Sequence, residues 1–477
     1  MRESIRAVNG EILEKITPTP EDRAKIEALT KQLEQNLASV CAAQNIKAII
    51  RVEGSVAKDT WIRGEPDIDV FMRLPPSIPR KALGEISLRI AREATQGSRQ
   101  TERFAEHPYL EAFIDGIRVN IVPCYNVKPG EWQSATDRTP LHTDYVRKHL
   151  DKIQRGEVRL LKKFLKGIAS YGAEIKIGGF SGYLCELLIL HYKSFFATLK
   201  GFAHYSSRLS LDIEDYYKGR ERELQLLFPE PLVVVDPVDK GRNVASAVQQ
   251  HKLHMFIAAA RAYLQNPRVD FFYPPKTKAS SAEELRIKMV NHGSAVIFLI
   301  LNHIDVVADV LWGQLYRTER ALRKQVELGN FSVLRSAVWS DEKTMDVFIL
   351  ELEQQTLPGA KKHVGPPLER EKECEDFLSK HIDNHRVVSG PYIENGRWAV
   401  ELKRKHTDIA EFLFEKLKNG GKDSGVAELV SKAFQEKLEI LVNAEAIDAY
   451  QSNNEFLEFL TDFLSGKPFW LERTQTG

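Results

Sequence analysis

Asp67 and Asp69, in the apolar run Asp67-Ile68-Asp69-Val70-Phe71, are the residues of this 477-residue chain best suited to do chemistry. In a strand, side chains two apart point to the same face. Two carboxylates held that close repel unless a cation lies between them. Hard oxygen ligands with open positions suit Mg²⁺ bound jointly with phosphates. Ahead of Asp67, with eleven residues between, Gly54-Ser55 closes a strand and opens a helical turn. Backbone N–H groups and a hydroxyl can meet a triphosphate there. Alone, an Asp-x-Asp is more often a solvated strand face, and a Gly-Ser says less still. Together, at this spacing and in an apolar strand, they point to chemistry on a nucleotide triphosphate.

The elements that must position these groups follow from periodicity. Residues 1 to about 50 read as helix, with Ile5, Val8, Ile12 and Ile16 spaced by three or four and a new start at Thr19-Pro20. A strand begins near Ala48, and Asp67–Leu74 and Arg118–Tyr125 are two more, suiting a small mixed α/β domain that ends near residue 135. Glu157–Tyr171 is a basic amphipathic helix, followed by helix over Ser181–Phe202, a strand at Leu232–Val235 and helix over residues 243 to 266. Pro274-Pro275-Lys276-Thr277-Lys278 reads as a linker. Beyond it, strand 295–301, helix 306–327, strand 346–354, helix 369–381 and strand 397–403 alternate, and residues 406 to 463 return to helix.

Composition removes other classes. Lys plus Arg is 67 and Asp plus Glu 66, a net charge of +1, so the chain lacks a uniformly basic coat and any polyanion contact must come from local clusters. Its 4 cysteines form no Cys-x-x-Cys pair, against a zinc finger or disulfide scaffold. The opening residues lack the apolar core of a signal peptide, and Asn302, His303, Asp305 and Asp309 interrupt the longest apolar run. A soluble cytoplasmic protein with reduced thiols is expected.

The segment from Gly54 to Phe71 resembles the signature of the DNA polymerase β-type nucleotidyltransferase superfamily, and in detail the archaeal (class I) CCA-adding tRNA nucleotidyltransferases. Matching segments are Arg138-Thr139-Pro140 with His142, Glu157 to Lys162, Tyr171 to Glu174, Gly179 to Leu187, Val235 to Asp239 with Arg242 to Ala245, and Pro391 to Trp398. The resemblance implies an α+β multidomain protein: a polymerase β-like head with a mixed, five-stranded or similar sheet over 1–136, a helical neck with the nucleotide pocket over 137–268, an α+β body over 269–405 and a helical tail over 406–477. It implies addition of C, C and A to the tRNA 3′ end and acceptor stem from CTP and ATP, with two Mg²⁺ ions. A poly(A)- or oligoadenylate-type polymerase is the related alternative, and the Asn395-Gly396-Arg397-Trp398 region favours CCA addition.

Carried over residue by residue, Asp67 and Asp69 match two metal-binding carboxylates, but Asn120 stands where the family has the third. An amide oxygen brings no negative charge and takes up no proton at neutral pH. The expectation is an impaired site, by substitution or by lineage, ahead of natural tolerance, with a catalytically silent tRNA-binding relative as the rival class. Asp115-Gly116 reads as a hairpin turn, which argues against rescue by Asp115 or Glu111. Gly54, Ser55, Lys58, Thr139, His142, Lys162, Tyr171 and Arg242 match groups that line the triphosphate, ribose or base. Lys58 replaces the Arg of many relatives. For RNA, the basic clusters are Arg317, Arg320, Arg323 and Lys324 on one helix, Lys361, Lys362 and His363, and Arg397 with Lys403, Arg404 and Lys405 beside Trp398. Phe271, Phe272 and Tyr273 are expected in the core. The oligomeric state is left open, a homodimer included.

Overall fold

The computed structural model describes residues 2–104 and 106–471. Residues 472–477 of the expected tail lie outside the described residues. The chain forms two compact units, one running to Pro275 and resuming at Pro468, the other Lys276–Lys467.

The first unit opens with α1 (Arg2–Ile16) and α2 (Pro20–Ala43). Pro20 sits in the first turn of α2, where a missing N–H costs nothing, and Thr19 and Asp22 close a reciprocal capping box. Then come β1 (Ile49–Glu53), α3 (Gly54–Ala57), β2 (Asp67–Leu74), α4 (Arg80–Ala94), β3 (Arg99–Phe104), β4 (Pro108–Ile114) and β5 (Ile117–Tyr125). The strands form a five-stranded sheet in the order β1-β2-β5-β4-β3. β2 and β5 run parallel and the remaining pairs antiparallel, giving the mixed sheet expected from sequence. Ile68, Val70, Met72, Val119 and Ile121 are fully buried against α2 and α4. Alternation then sends Asp67, Asp69 and Asn120 to the opposite face.

Across that face lies a helical layer: α5 (Thr139–His149), α6 (Lys152–Gly167), α7 (Gly182–Tyr192), α8 (Phe195–Ala203), α9 (Glu221–Leu227) and α10 (Gln250–Gln265). A small sheet accompanies it, made of β6 (Leu209–Leu211), β7 (Leu232–Asp236) and β8 (Asp239–Asn243). The helix read over Ser181–Phe202 is two helices. Lys193 takes a left-handed conformation and Ser194 caps α8, so the chain turns between them. Residues 243–249, read as helix, end β8 and turn before α10 begins at Gln250. Phe271 and Phe272 are core residues packed on Phe164, whereas Tyr273 is exposed with Lys163 over its ring.

The second unit contains α11 (Ala282–His292), β9 (Ala295–Asn302), α12 (Ala308–Leu328), β10 (Val333–Ser340), β11 (Met345–Leu352), β12 (Ala360–Pro367) and α13 (Glu371–His381). It continues with β13 (Val387–Glu394), β14 (Arg397–Lys403), α14 (Ile409–Leu417), α15 (Glu428–Glu436), β15 (Glu439–Val442), α16 (Ala444–Tyr450) and α17 (Asn454–Ser465). Two sheets result, ordered β10-β11-β9-β15 and β12-β14-β13. The run 406–463 is therefore not helix throughout: β15 pairs antiparallel with β9 inside it. No helix of the described residues is long and apolar enough to cross a membrane.

Candidate active site

β2 and β5 lie in parallel register, so Asp67 stands beside Arg118 and Asp69 beside Asn120 on one face. The Asn120 amide nitrogen donates to Asp67 Oδ1 at 3.2 Å and to Asp69 Oδ1 at 3.0 Å. Arg118 grips Asp67 with both arms, Nε to Oδ1 at 2.9 Å and Nη2 to Oδ2 at 2.5 Å. Burial, then the neighbouring Asp67 charge, pushes Asp69 up to about 6, against the opposing Asn120 hydrogen bond. Gly54, at φ +67°, lets the backbone pass directly over Asp69, where any Cβ would collide with the carboxylate.

The donor set is two carboxylates and one amide. That fits hard divalent cations, which would offset the burial and the repulsion that raise Asp69. Among the described residues, no group of three or more His, Cys, Asp or Glu side chains is placed to hold a metal ion. Asp115 and Gly116 do form the β4–β5 turn, both at positive φ. Glu111, however, sits opposite Asn120 in the β4–β5 register. It is buried and tied to Arg103 at 2.9 Å, with Arg118 at 4.0 Å.

Beside the carboxylates, Lys58 Nζ is 2.6 Å from Glu186 Oε2 and 5.6 Å from the centre of the Tyr183 ring. Lys162 Nζ donates to Thr60 O at 3.2 Å, Thr60 Oγ1 at 3.0 Å and Glu186 Oε1 at 3.4 Å. The loop carrying Lys58 and Thr60 is pinned by Arg159, which donates to Trp61 O at 2.8 Å and Asp59 Oδ1 at 2.6 Å. Tyr171 is half-buried and, like Lys162, approaches Gly182. A Cβ on Gly182 would lie 3.0 Å from Tyr171 Oη and 3.5 Å from Lys162 Nζ, so glycine leaves the room both groups use. Burial drives the Tyr171 phenol well above its ordinary range, keeping it a neutral donor.

His142 and Arg242 share one acid. His142 Nε2 is 2.9 Å and Arg242 Nη1 2.7 Å from Asp236 Oδ2, while Tyr183 donates to Oδ1 at 3.1 Å. His142 stacks on Tyr183 at 4.0 Å, and burial lowers its pKa. Gly54 and Ser55 form the first turn of α3, and Thr139 opens α5.

In the second unit, Arg317, Arg320, Arg323 and Lys324 are exposed along α12. Lys361 and Arg404 line a pocket of about 220 Å³ with Arg386, Lys405 and Lys416. Lys362 is paired with Glu394, and Arg397 Nε donates to Gly365 O at 2.9 Å. Sequence reasoning missed Arg118, Tyr183, Glu186, Asp236, Arg386 and Lys416. Glu186 had a signal of its own, as an acid within the apolar stretch Leu184–Leu190, where burial demands a partner.

A mixed sheet presenting this carboxylate pair beside a Gly-Ser turn defines a nucleotidyltransferase, and residues 33–142 match the model described as nucleotidyltransferase domain. Residues 156–273 match tRNA nucleotidyltransferase, second domain, and residues 292–443 match CCA-adding enzyme, C-terminal domain. The chain is 36% identical over 462 residues to the CCA-adding enzyme of Methanothermobacter thermautotrophicus, covering 95% of this chain and 97% of the relative. It is 36% identical to that of Methanosarcina mazei (91% and 93% covered) and 34% to that of Haloarcula marismortui (93% and 96%). The chain belongs to the CCA-adding enzyme family.

Proposed function

We propose that the chain adds C, C and A to the 3′ end of tRNA from CTP and ATP, with Asp67 and Asp69 holding the catalytic Mg²⁺. The observation that carries this is the carboxylate pair: two acids on one sheet face, one pushed up to about 6 by burial and by the charge of the other. When bound, Mg²⁺ would supply charge neutralisation at the phosphates and ease ionisation of the attacking hydroxyl. The RNA 3′-oxygen bonds to the α-phosphorus as the bond to pyrophosphate breaks, and the hydroxyl proton must leave. Asn120 cannot take that proton, and its amide donates to both acids instead. The chain is therefore slower than one bearing a third carboxylate.

Its own residues bind and orient the nucleotide. Lys58 spends one ammonium hydrogen on Glu186 and offers the others to phosphate oxygens, with Lys162, Tyr171, Ser55 and the Gly54 backbone alongside. Arg242, anchored on Asp236 beside His142, turns the rest of its planar fork toward the base, and Thr139 toward the sugar. The pocket of Lys361, Arg386, Arg404, Lys405 and Lys416, with the exposed cations of α12, suits the backbone of helical RNA. Asn120 also favours a second reading, a silent tRNA binder in the cytoplasm.

Incorporation of labelled CTP and ATP into tRNA lacking its CCA, with Mg²⁺, separates the two. Slow addition that Asn120→Asp accelerates supports the enzyme. Binding of tRNA without addition by either protein supports the silent binder.

A further inference from the structure

Glu186 is fully buried, and its two carboxylate oxygens serve three groups from different parts of the chain. Oε2 accepts from Lys58, in the loop after α3, at 2.6 Å. Oε1 accepts from Thr60 Oγ1 at 2.6 Å and from Lys162, on α6, at 3.4 Å. Lys58 is 7% exposed and Lys162 2%. Two buried ammonium groups thus share a single carboxylate, leaving one positive charge in excess. A buried charge in excess is costly unless an anion completes the balance. Lys58 also acts on Asp69 across the neighbouring sheet face, so the excess charge lies beside the carboxylate pair.

We propose that Glu186 is a positioning residue for the nucleotide triphosphate: it sets the spacing of the Lys58 and Lys162 ammonium groups, so that the phosphates meet a pair of cations already in place. The inference rests on the assignment of Lys58 and Lys162 to the phosphates made above. Thr60 completes the arrangement, because its hydroxyl donates to Glu186 and accepts from Lys162 at 3.0 Å. Without Glu186, burial and the charge of Lys58 lose their main opposition at Lys162. Both already lower its pKa. Lys162 would then be less readily protonated, and Lys58 would lose the partner that fixes its place.

The test is calorimetric binding of CTP and of CMP, with Mg²⁺, to the full chain and its variants. Glu186→Gln, which keeps shape and removes charge, is expected to weaken CTP binding about tenfold and to leave CMP within about twofold. Glu186→Asp, which keeps the charge, is expected to recover part of the loss. In the Lys58→Met background, Glu186→Gln should add a smaller loss than in the parent, since one of the two ammonium groups it positions is already gone and only Lys162 remains on Oε1. Melting temperatures report folding of each variant. If Glu186→Gln does not fold, Glu186→Asp in the parent and Lys58→Met backgrounds makes the same comparison. Glu186→Gln binding CTP as tightly as the parent or more tightly overturns the proposal. So does an equal loss for CTP and CMP, or full additivity with Lys58→Met. A parent that binds neither CTP nor ATP overturns the nucleotidyl-transfer assignment itself, and the role of Glu186 with it.

Discussion

Asn120→Asp inverts the electrostatics between β2 and β5. The amide now donates to both Asp67 and Asp69, at 3.2 and 3.0 Å. Each such bond to a charged acceptor contributes about 1.5–3 kcal/mol. A carboxylate in its place removes both and adds repulsion, about 4 kcal/mol for a pair about 4 Å apart at an effective permittivity of about 20. Proton uptake by the crowded acids, and the partial exposure of Asp67, relieve much of that sum, leaving a net cost of about 3 kcal/mol in the absence of metal. For the first unit, which runs to Pro275 and resumes at Pro468, that lowers the melting temperature by about 5 °C. Mg²⁺ at about 100 times its Kd returns about 2.7 kcal/mol. Activity should rise by about 10²- to 10⁴-fold, the usual yield of a positioned base. Scanning calorimetry in EDTA and in Mg²⁺, beside the CCA-addition assay, measures all three. An unchanged melting temperature in EDTA, with no gain from Mg²⁺, would refute the account of Asn120 as a donor holding two acids together.

Asp236→Ala strips His142, Arg242 and Tyr183 of their common buried acceptor and should cost about 3–5 kcal/mol, read from urea unfolding. It should also blur discrimination between CTP and ATP, and unchanged selectivity would exclude Arg242 as the base reader. Asp341, in the β10–β11 turn, is held down to about 2: burial opposes this, but the Thr344 hydroxyl and the Lys343, Thr344 and Met345 amides outweigh it. Its folded value lies below the ordinary 3.8, so its contribution is complete above that value and vanishes as pH falls toward 2. Asp341→Asn should flatten the acid limb of the stability curve between those limits. Lys361→Ala and Arg404→Ala should each weaken tRNA binding and reduce the salt slope by about one unit, seen by filter binding over a salt series.

What could be read from sequence depended on local pattern. Asp67 and Asp69 announced themselves because Ile68 and Val70 alternate with them, β9 because every residue from Ala295 to Leu301 is apolar, and β11 because Val347, Phe348, Ile349 and Leu350 form an unbroken apolar run. β12, β13 and β15 are sheet edges, where one side needs no strand partner and polar or proline-bearing runs such as Ala360–Pro367 are tolerated. Their composition therefore resembles loop or, for β15, helix. The Arg118 clamp on Asp67 becomes visible only once β2 and β5 are set in parallel register. Lys58 and Glu186 lie 128 residues apart, a pairing that no local window contains.

The late arrival of β15 shapes how the second unit is made. β9 is wholly apolar from Ala295 to Leu301 and pairs on one side with β11. Its other side waits for Glu439–Val442, which leave the ribosome only after nearly all the rest of that unit. Throughout that interval the nascent protein carries an open, hydrophobic strand edge, the feature most prone to pair with another chain. Translation halted before residue 439 would leave that edge permanently exposed, so the last short strand acts as the seal against aggregation during synthesis.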